Sequence, residues 1–597
     1  MPVSDINREL AELFRDAATI LDLKGESAFK AIAFQKVATV LENLPEDMRA
    51  LHASGGRKAI ESIRGIGKSS GAIIVDVLEN GSSPDHEALL ASVPPELPAM
   101  LDIPGMGPKT VKLVWQERGI DTLAGLAAAL EDGSLAELRG LGKKKLALIA
   151  EGLAMREAAG ERRSLGEAVK AAQPLHERLL ALDGVDRVAR AGSVRRGRET
   201  IGDLDFVVSS GPDADPAAIL AAFAAFPEVD KVIGLGETRC SVRLEDGLQV
   251  DCRVVPPASF GAALCYFTGS KEHNRHLRRL AQRRGWTLNE WGLFDAAEWE
   301  ARDTGPGSVP VVRPLAGATE EALYETLGLA WVPPEIREDS GEIELASTGG
   351  LPRLIEADDY RGDLHCHTHA SDGVGSIEEM AQAAKALGHR FLAITDHSVS
   401  QAQANGLDVR RLLAHAAAIR AANERIDGIE LLAGTECDIL ADGRLDYADD
   451  VLAELDWVIA SPHVALRQDS ARATDRLLRA IDNPYVNAIG HPTGRLINAR
   501  TGLQPDFAVV FAAAAASGTA LEINANHRRL DLGADQARAA VRAGCTLTIN
   551  TDAHTTIGLD RLAGGLVTAR RGWATRTDVV NCMTLAGLRA FVARKRP

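Results

Sequence analysis

The sequence predicts a multidomain protein with a helical N-terminal region, an α+β middle region and a C-terminal (β/α) barrel. Three observations lead to this prediction. A glycine-containing turn recurs three times within a helical pattern over residues 5–160. Two aspartates, Asp203 and Asp205, open an apolar, β-branched run, and ten of the fifteen histidines lie in residues 360–597. A chain of 597 residues has room for three to five domains of ordinary size.

The composition is that of ordinary globular domains, with 46% apolar and 25% charged residues. The net charge of −16 has the wrong sign for a protein whose overall field attracts nucleic acid. Any binding of DNA must therefore come from local basic patches, such as Lys271–Arg284 and Arg139–Lys145.

Nothing in the sequence predicts a membrane protein. No apolar stretch reaches the length of a membrane helix, and the first residues do not have the pattern of a secretion signal. The seven cysteines include no Cys-x-x-Cys pair, which indicates reduced thiols. We therefore expect a cytoplasmic protein without a membrane partner.

The repeated turn has the form apolar-x-Gly-apolar-Gly, followed within two residues by a basic residue and then by a helical pattern. Its copies are Ile63–Lys68, Ile103–Lys109 and Leu138–Lys144. They resemble helix-hairpin-helix modules, in which glycines permit the tight turn and the next helix directs N–H groups at DNA phosphates. We expect at least two copies to hold duplex on either side of a gap or nick. The candidate DNA-binding residues there are Gly65, Gly67, Gly105, Gly107, Lys109, Gly140 and Gly142.

The stretch Gly192–Asp205 combines an anion-binding turn with a pair of carboxylates. Asp203 and Asp205 are two positions apart at the start of a predicted strand, so their side chains share one face. A third aspartate, Asp251, lies in another apolar run, Leu248–Val255. Clustered carboxylates repel one another unless a cation lies between them, and three suit two divalent ions such as Mg²⁺.

Phosphate-binding groups lie just before these aspartates. Gly192 and Ser193 offer backbone N–H groups and a hydroxyl, and Arg195 and Arg196 offer forked guanidinium donors. Taken alone, an Asp-x-Asp pair is more often part of an ordinary turn, and arginines are more often solvated. The combination with a third strand aspartate favours metal-assisted nucleotidyl transfer.

Four motifs resemble the palm and nucleotide-binding motifs of family X DNA polymerases, in the order of that family. They are Gly192–Gly197, Asp203–Asp205, Val250–Arg253 and Tyr266–Ser270. The resemblance implies that the three aspartates bind two Mg²⁺ or Mn²⁺ ions and that Asp251 helps to activate the primer 3′-hydroxyl. The nucleotide-binding residues it implies are Gly192, Ser193, Arg196, Tyr266, Phe267, Gly269 and Asn274, with Arg163 as a further candidate.

Within this set the resemblance also implies individual roles. Ser193 and Arg196 hold the incoming triphosphate, and Asn274 contacts the base from the minor-groove side. Tyr266 and Phe267 lie under the sugar and exclude a 2′-hydroxyl; without the Thr-Gly-Ser that follows them, we would interpret them as core aromatics. Arg278, in a basic stretch downstream, is a candidate DNA contact.

One position departs from the family. Its repair members have a lyase domain whose nucleophilic lysine follows the first hairpin by several residues. The matching position is Ile73, and the chain has no lysine between Lys68 and Lys109. Because a Schiff base requires a primary amine, deoxyribose-phosphate lyase activity at this site is doubtful.

The predicted domain boundaries follow these motifs. Residues 315–359 hold eleven acidic residues against two arginines, together with Pro333–Pro334 and Gly349–Gly350, which is typical of a structured tail passing into a linker. The predicted domains are 1–85 and 86–162 (helical, with the hairpins), 163–225 (palm), 226–314 (nucleotide-binding or thumb-type), 315–359 (acidic linker) and 360–597 (barrel).

In residues 360–597, short apolar runs alternate with helical stretches, and most of the runs end in a histidine or an acid. This pattern predicts a (β/α) barrel whose active site lies at the C-terminal ends of its strands. Nine N/O ligands are too many for one ion and suit two or three Zn²⁺, Mn²⁺ or Fe ions. They are His365, His367, Asp372, His397, Glu436, His463, His491, Asp552 and His554.

These motifs, with Glu522–Asn526 between them, resemble a PHP (polymerase and histidinol phosphatase) domain with all nine metal positions matched. The resemblance implies a 3′-5′ exonuclease, typically Mn²⁺-dependent, with abasic-site endonuclease or 3′-phosphatase activity in some members. The residues themselves indicate only hydrolysis of a phosphoester by a metal cluster. Other histidines of the region, such as His389 and His415, are expected at the surface.

Together the resemblances imply a family X DNA polymerase that fills short gaps in DNA repair and has a separate PHP exonuclease. The implied partners are gapped or nicked DNA with its 3′ ends and deoxynucleoside triphosphates, and we expect a monomer. Three alternatives stay open. The barrel is a small-molecule phosphatase attached to a polymerase, the chain is a non-catalytic scaffold for DNA ends, or it adds nucleotides without a template.

Overall fold

A computed structural model describes residues 5–597 except for 25–27, 45, 64, 95, 102, 160–161, 212–213 and 302–311. Arg64 of the first predicted hairpin and residues 302–311 of the predicted thumb-type domain therefore lie outside the described residues. The chain forms two compact units. One contains the residues up to 160 together with Asn498–Arg500 and His554–Ile557, and the other contains the remaining residues of 161–597. None of the described helices is long and apolar enough to cross a membrane.

The first unit is helical, as predicted. One buried cluster contains Phe14 and Phe34, whose rings meet edge to face at 5.2 Å, and a second contains Val111 and Leu126. Ile73 is buried in the first cluster, so the position matching the lyase lysine is part of the core. The helices are α1 Asp5–Lys24, α2 Ala28–Asn43, α3 Met48–Glu61, α4 Lys68–Asn80, α5 Pro84–Leu90, α6 Leu97–Met100, α7 Pro108–Arg118, α8 Leu123–Glu131 and α9 Lys143–Ala159, with a 3-10 turn at Ser134–Glu137.

The three predicted hairpins share one backbone geometry. The first glycine of each turn has a positive φ that favours glycine, at 102° in Gly65, 90° in Gly105 and 100° in Gly140. The second glycine immediately precedes α4, α7 or α9, and a Cβ added there would meet no described atom within 4 Å. Each turn therefore presents a helix N-terminus with an open approach, which is the arrangement that binds phosphate.

The middle of the chain forms a five-stranded sheet with the order β2-β4-β7-β6-β5. Strands β4 and β7 are parallel over the whole of β7, and the other pairs are antiparallel. The predicted palm boundary at residue 225 is wrong, because it falls inside this sheet, which continues to Val255. The elements are β1 Arg163–Ser164, α10 Leu165–Leu180, β2 Val185–Arg190, α11 Gly192–Arg195, β3 Thr200–Ile201, β4 Asp203–Ser210, α12 Pro216–Ala224, β5 Val229–Leu235, β6 Arg239–Leu244 and β7 Gln249–Val255.

The next region folds around a separate buried cluster that extends through the predicted linker. Residues 315–359 are folded, not a linker, since Leu323, Tyr324 and Ile343 lie in the same cluster as Leu277. The elements are a 3-10 turn at Pro257–Ser259, α13 Phe260–Thr268, α14 Lys271–Gln282, β8 Trp286–Asn289, β9 Gly292–Asp295, α15 Ala296–Glu300, α16 Glu320–Thr326, α17 Glu342–Thr348 and 3-10 turns at Pro334–Ile336 and Ala357–Asp359.

The acid excess misled the linker prediction because some of these acids are buried in ion pairs. Arg195 and Arg337 each donate two hydrogen bonds to Glu320, over 2.7 and 2.7 Å and over 2.6 and 3.0 Å. Burial raises the pKa of Glu320, but the two guanidinium groups outweigh it and lower the pKa from 4.5 to about 2. Their stabilisation is therefore complete above pH 4.5 and is lost as the pH falls toward 2.

The C-terminal region forms seven parallel strands in chain order, β10 to β16, with helices between most of them, which confirms the predicted barrel. The barrel is nearly closed, and the ends of the sheet meet where the N–H of His367 donates to the carbonyl of Ala553 over 2.8 Å. The elements are β10 Gly362–Cys366, α18 Ile377–Ala386, β11 Phe391–Ile394, α19 Val409–Asn423, β12 Glu430–Asp438, α20 Asp449–Leu452, β13 Trp457–Ser461, α21 Ser470–Asp482, β14 Ala488–Ile489, α22 Phe507–Ser517, β15 Ala520–Asn524, α23 Ala534–Arg542, β16 Leu547–Asn550, α24 Leu562–Arg571, α25 Leu585–Ala593 and 3-10 turns at Ala402–Ala404, Ile557–Asp560 and Val580–Cys582.

Replacing Glu320 with Gln tests the buried ion pairs. The amide keeps the shape of the side chain but leaves Arg337, which is fully buried, without its counter-ion. We expect the free energy of unfolding to fall by about 3–5 kcal/mol, measured by chemical denaturation followed through tryptophan fluorescence. The control is Glu321→Gln at the exposed neighbouring position. Equal denaturation midpoints for the two variants would contradict this role of Glu320.

Candidate active sites

The two strands predicted to hold the aspartates lie side by side. In the parallel pair β4–β7, Asp205 is directly opposite Asp251, and Asp203 precedes Asp205 by two positions. Burial, and then the charges of Asp203 and Asp251, raise the pKa of Asp205 to about 7, against the opposing effect of Arg196. The three carboxylates are therefore close enough for their charges to interact, as the sequence predicted.

The three aspartates are nevertheless not drawn tightly together. Among the described residues, every group of three or more ligand atoms within 4.8 Å of one another lies in the barrel instead. Asp251 accepts hydrogen bonds from the hydroxyl of Ser241 and from the amide of Gln249. Carboxylates separate when no cation lies between them, so this spacing is compatible with a site completed by divalent ions.

The turn before β4 packs directly on this cluster. Gly192 has φ of 62°, and a Cβ added there would lie 2.0 Å from a carboxylate oxygen of Asp205, so only glycine fits. The hydroxyl of Ser193 is buried and has no hydrogen-bond partner among the described residues. A buried hydroxyl without a protein partner can donate a hydrogen bond to a phosphate oxygen brought by a ligand.

The guanidinium groups of the three arginines considered for this turn all have partners in the structure. The guanidinium of Arg196 donates to the carbonyl of Thr268, and its Nε lies 3.3 Å from Glu338. Arg195 is bound to Glu320 instead. Arg163, the further candidate, donates to the carboxylate and the carbonyl of Asp246, each over 2.7 Å. Its guanidinium group is therefore already paired at another place.

Helices α13 and α14 supply the remaining nucleotide-binding candidates. A Cβ on Gly269 would lie 3.1 Å from a guanidinium nitrogen of Arg196, so this glycine permits the close approach. Tyr266 and Asn274, with Arg278, line one small pocket, and the amide of Asn274 donates to the carbonyl of Tyr266 over 2.6 Å. Phe267 meets the ring of Tyr266 edge to face at 5.2 Å.

The barrel brings the nine predicted metal ligands to the C-terminal ends of its strands. They fall into overlapping groups whose ligand atoms lie within 4.8 Å of one another. Two of them, His491 and Asp552, have the positive φ that non-glycine residues seldom adopt. The groups are His367, Asp372, His397 and His554; His365, Glu436 and His491; His365, His367 and Asp552; and His397, Glu436 and His463.

Glu436 lies at the centre of these groups. Its carboxylate oxygens are 2.8 Å from His397 Nδ1, 2.9 Å from His491 Nε2 and 3.3 Å from His463 Nε2. Burial raises the pKa of Glu436, but the imidazoles lower it well below the ordinary value. Burial lowers the pKa of His463, yet Glu436 and then Asp438 raise it to about 10. Burial instead lowers the pKa of His491, so the imidazoles around Glu436 do not share one direction of shift.

Divalent metal ions fit this donor set. Both carboxylate oxygens of Glu436 are buried and accept no hydrogen bond of good geometry from the described residues. Three carboxylates and six imidazoles are suitable ligands for Zn²⁺, Mn²⁺ and Fe ions.

Further residues hold the ligands in place, and the sequence reasoning did not assign them this role. Asp438 lies 2.6 Å from Nδ1 of His463, and Glu522 lies 2.8 Å from Nδ1 of His365. Such contacts fix the orientation of a metal-binding imidazole and leave its other nitrogen for the ion. The signal was present, because Asp438 is two positions after Glu436 on β12 and shares its face.

Two histidines that were expected at the surface, His389 and His415, are largely buried. His389 is buried, and burial lowers its pKa to about 4. His415 is largely buried on α19 and lies 2.8 Å from Asp396. The expectation failed because it considered each histidine alone, without the acid or the apolar packing that the fold brings to it.

Comparisons with known proteins agree with this architecture. A helix-hairpin-helix domain model matches residues 5–83, and a SAM-like helix-hairpin-helix tandem matches residues 97–155. The DNA polymerase beta thumb matches residues 263–338, and the PHP domain matches residues 363–525. The thumb match extends well past residue 315, in agreement with the folded segment described above.

Relatives resemble either the whole chain or parts of it. DNA polymerase lambda of Rattus norvegicus is 25% identical over 56% of this chain and 57% of its own length. A probable phosphatase of Shewanella sp. (strain ANA-3) is 32% identical over 34% of this chain and 79% of its own length. The DNA polymerase/3′-5′ exonuclease PolX of Bacillus subtilis (strain 168) is 37% identical over 98% of this chain and 99% of its own length. The chain therefore belongs to the bacterial family X DNA polymerases that have a C-terminal PHP domain.

Proposed function

We propose that this protein fills short gaps in DNA during repair and trims 3′ ends at a second, separate active site. The chain is a DNA-directed DNA polymerase and a 3′-5′ exodeoxyribonuclease. The single observation on which the proposal rests is that one chain contains two separate sets of candidate metal ligands. One set is the three palm aspartates beside the Gly192–Gly197 turn, and the other is the nine ligands of the barrel.

In the polymerase site, Asp203, Asp205 and Asp251 would hold two Mg²⁺ or Mn²⁺ ions, which stabilise the charge that develops during phosphoryl transfer. Ser193 and Arg196 would bind the triphosphate of a deoxynucleotide, supported by the unpartnered hydroxyl of Ser193. Asp251 would accept the proton of the primer 3′-hydroxyl. This role is supported by its position opposite Asp205.

The same site has residues that are suited to selecting the nucleotide and binding the DNA. Tyr266 and Phe267 would exclude a ribose 2′-hydroxyl, and Asn274 and Arg278 in the adjoining pocket would contact the base and the DNA. Gly269 would permit this packing beside the triphosphate. The glycine turns before α4, α7 and α9 would bind phosphates of gapped or nicked duplex, independently of sequence.

In the barrel, the nine ligands would hold two or three Zn²⁺, Mn²⁺ or Fe ions, which provide hydroxide at neutral pH and bind a phosphate ester. Asp438 and Glu522 would keep His463 and His365 in the orientation that the ions require. We propose a DNA 3′ end as the substrate, with abasic-site cleavage or 3′-phosphate removal as further reactions of the same ions.

We propose a monomer that works in the cytoplasm. All seven cysteines are free and buried, in keeping with the reducing conditions expected there.

A second candidate is favoured by the similarity of the barrel to probable phosphatases. In that case the barrel hydrolyses a small phosphate monoester and has no role at DNA ends. Preferred turnover of histidinol phosphate over a 3′-recessed duplex would favour this candidate. The reverse preference would exclude it.

Substitutions at the two metal sites should separate the two activities. Asp205→Ala removes a metal ligand of the polymerase site, and we expect primer extension to fall by at least about a hundredfold while 3′ shortening is retained. His365→Ala should have the opposite effect. Both rates are measured on one labelled primer–template duplex, with the metal content of each variant determined by mass spectrometry. If either substitution removed both activities in a folded protein, the two-site proposal would fail.

Loss of the partner of His463 should weaken metal binding without removing a ligand. We expect Asp438→Asn to lower the metal affinity of the barrel by about 10- to 100-fold, because the imidazole loses its charged acceptor. Titration with Mn²⁺ followed by electron paramagnetic resonance measures the affinity. Asp442→Asn, at an exposed position in the next loop, is the matched control and should leave it unchanged. Equal affinities of the two variants would show that Asp438 does not position His463.

A further inference from the structure

Helix α24 of the barrel packs on the Gly192–Gly197 turn of the palm. Val567 packs against the palm core, and a Cβ added to Gly197 would lie 1.9 Å from one of its methyl groups. Gly197 also has a positive φ of 65°. The turn that binds the triphosphate in the proposed function is thus formed against a helix of the phosphoesterase domain.

One side chain of that helix reaches the turn directly. Arg571 is largely buried, and its Nη1 donates to the main-chain carbonyl of Arg196 over 2.7 Å and to that of Glu335 over 3.2 Å. Its Nη2 donates to the carboxylate of Glu338 over 3.1 Å. One guanidinium group therefore donates to three acceptors. One of these acceptors is the carbonyl of Arg196, which is a candidate for binding the triphosphate.

The carboxylate of Glu338 joins the two arginines. The same Oε1 atom that accepts from Arg571 lies 3.3 Å from Nε of Arg196 and 3.7 Å from Arg198. A triphosphate has to compete with Glu338 for the guanidinium of Arg196. Arg571 binds both Glu338 and the main-chain carbonyl of Arg196. It therefore fixes the position of the Arg196 backbone, and it affects how strongly Glu338 holds the guanidinium group of Arg196.

The neighbouring arginine shows what a purely structural contact at this interface is like. Arg570 donates to the carboxylate of Glu335 over 2.7 and 3.3 Å and to the carbonyl of Ile355 over 2.7 Å. None of these acceptors belongs to the Gly192–Gly197 turn. The two arginines are adjacent on one helix and equally charged, so Arg570 is a matched control for Arg571.

We propose that Arg571, a residue of the phosphoesterase domain, is a positioning residue for the deoxynucleoside triphosphate site of the polymerase. The inference rests on the proposed role of Arg196 in binding the triphosphate. It makes the barrel a structural part of the polymerase site, in addition to its own chemistry.

The test compares Arg571→Ala, Arg571→Lys, Arg570→Ala and Arg196→Ala in the full-length protein. Single-nucleotide insertion is measured on a one-nucleotide gapped duplex with a 3′-phosphorothioate primer, which resists shortening. For Arg571→Ala we expect KM for the nucleotide to rise about tenfold with kcat within about twofold, the effect of losing a charge-assisted hydrogen bond. Arg571→Lys should recover part of this loss, and Arg570→Ala should have the KM of the unmodified protein.

The KM values of the variants show whether Arg571 acts on nucleotide binding. Raised KM for Arg196→Ala with unchanged KM for Arg571→Ala would overturn the inference and leave the proposed function standing. Unchanged KM for Arg196→Ala would overturn the role of Arg196 and the inference together. Equal effects of Arg570→Ala and Arg571→Ala, or a fall in kcat that follows a lower melting temperature, would show that the interface is only structural and would also overturn the inference.

Discussion

A buried carboxylate is stable in its charged form only beside a positive charge, and three buried carboxylates of this chain meet this requirement in different ways. Glu320 is neutralised by two arginines, which lower its pKa to about 2. Glu436 is surrounded by imidazoles, which lower its pKa in the same direction. Asp205 faces other carboxylates, and its pKa rises to about 7 instead. The first is a closed ion pair, whereas the other two belong to the clusters that we propose as binding sites for divalent cations.

These environments distinguish a carboxylate that stabilises the fold from carboxylates that belong to the candidate active sites. At Glu320, both carboxylate oxygens accept hydrogen bonds from the guanidinium groups of Arg195 and Arg337. At Asp205, the adjoining Ser193 hydroxyl has no partner among the described residues. The carboxylate of Glu338 contacts two arginines, Arg196 of the palm and Arg571 of the barrel. This shared carboxylate is one of several contacts between the palm and the barrel.

Much of the fold and of both sites could be predicted from the sequence, because local spacing determined them. Aspartates at alternate positions of an apolar run lie on one face of a strand, and the three Gly-x-Gly turns give three equal backbone geometries. The barrel ligands follow their strands at intervals that a parallel sheet places at one edge. In each case the regular repeat of a strand, or the conformation of a turn, determines which side chains meet, even where the residues are far apart in the sequence.

What could not be predicted depends on contacts between distant residues. Composition indicated a linker at residues 315–359, because the arginines that neutralise its acids include Arg195, more than a hundred positions away. The same contact engages Arg195, a phosphate-binding candidate, and Asp246 engages Arg163, another candidate. His415 likewise meets Asp396 only in the folded barrel.

The most direct test of the central claim, two independent metal-dependent chemistries in one chain, uses one labelled primer on a one-nucleotide gapped duplex with a 5′-phosphate. The protein is incubated with Mn²⁺, with and without deoxynucleotides. We predict extension by one nucleotide in their presence and shortening in their absence. Extension without any shortening would contradict the claim, because the nine-ligand cluster would then act on something other than a DNA 3′ end.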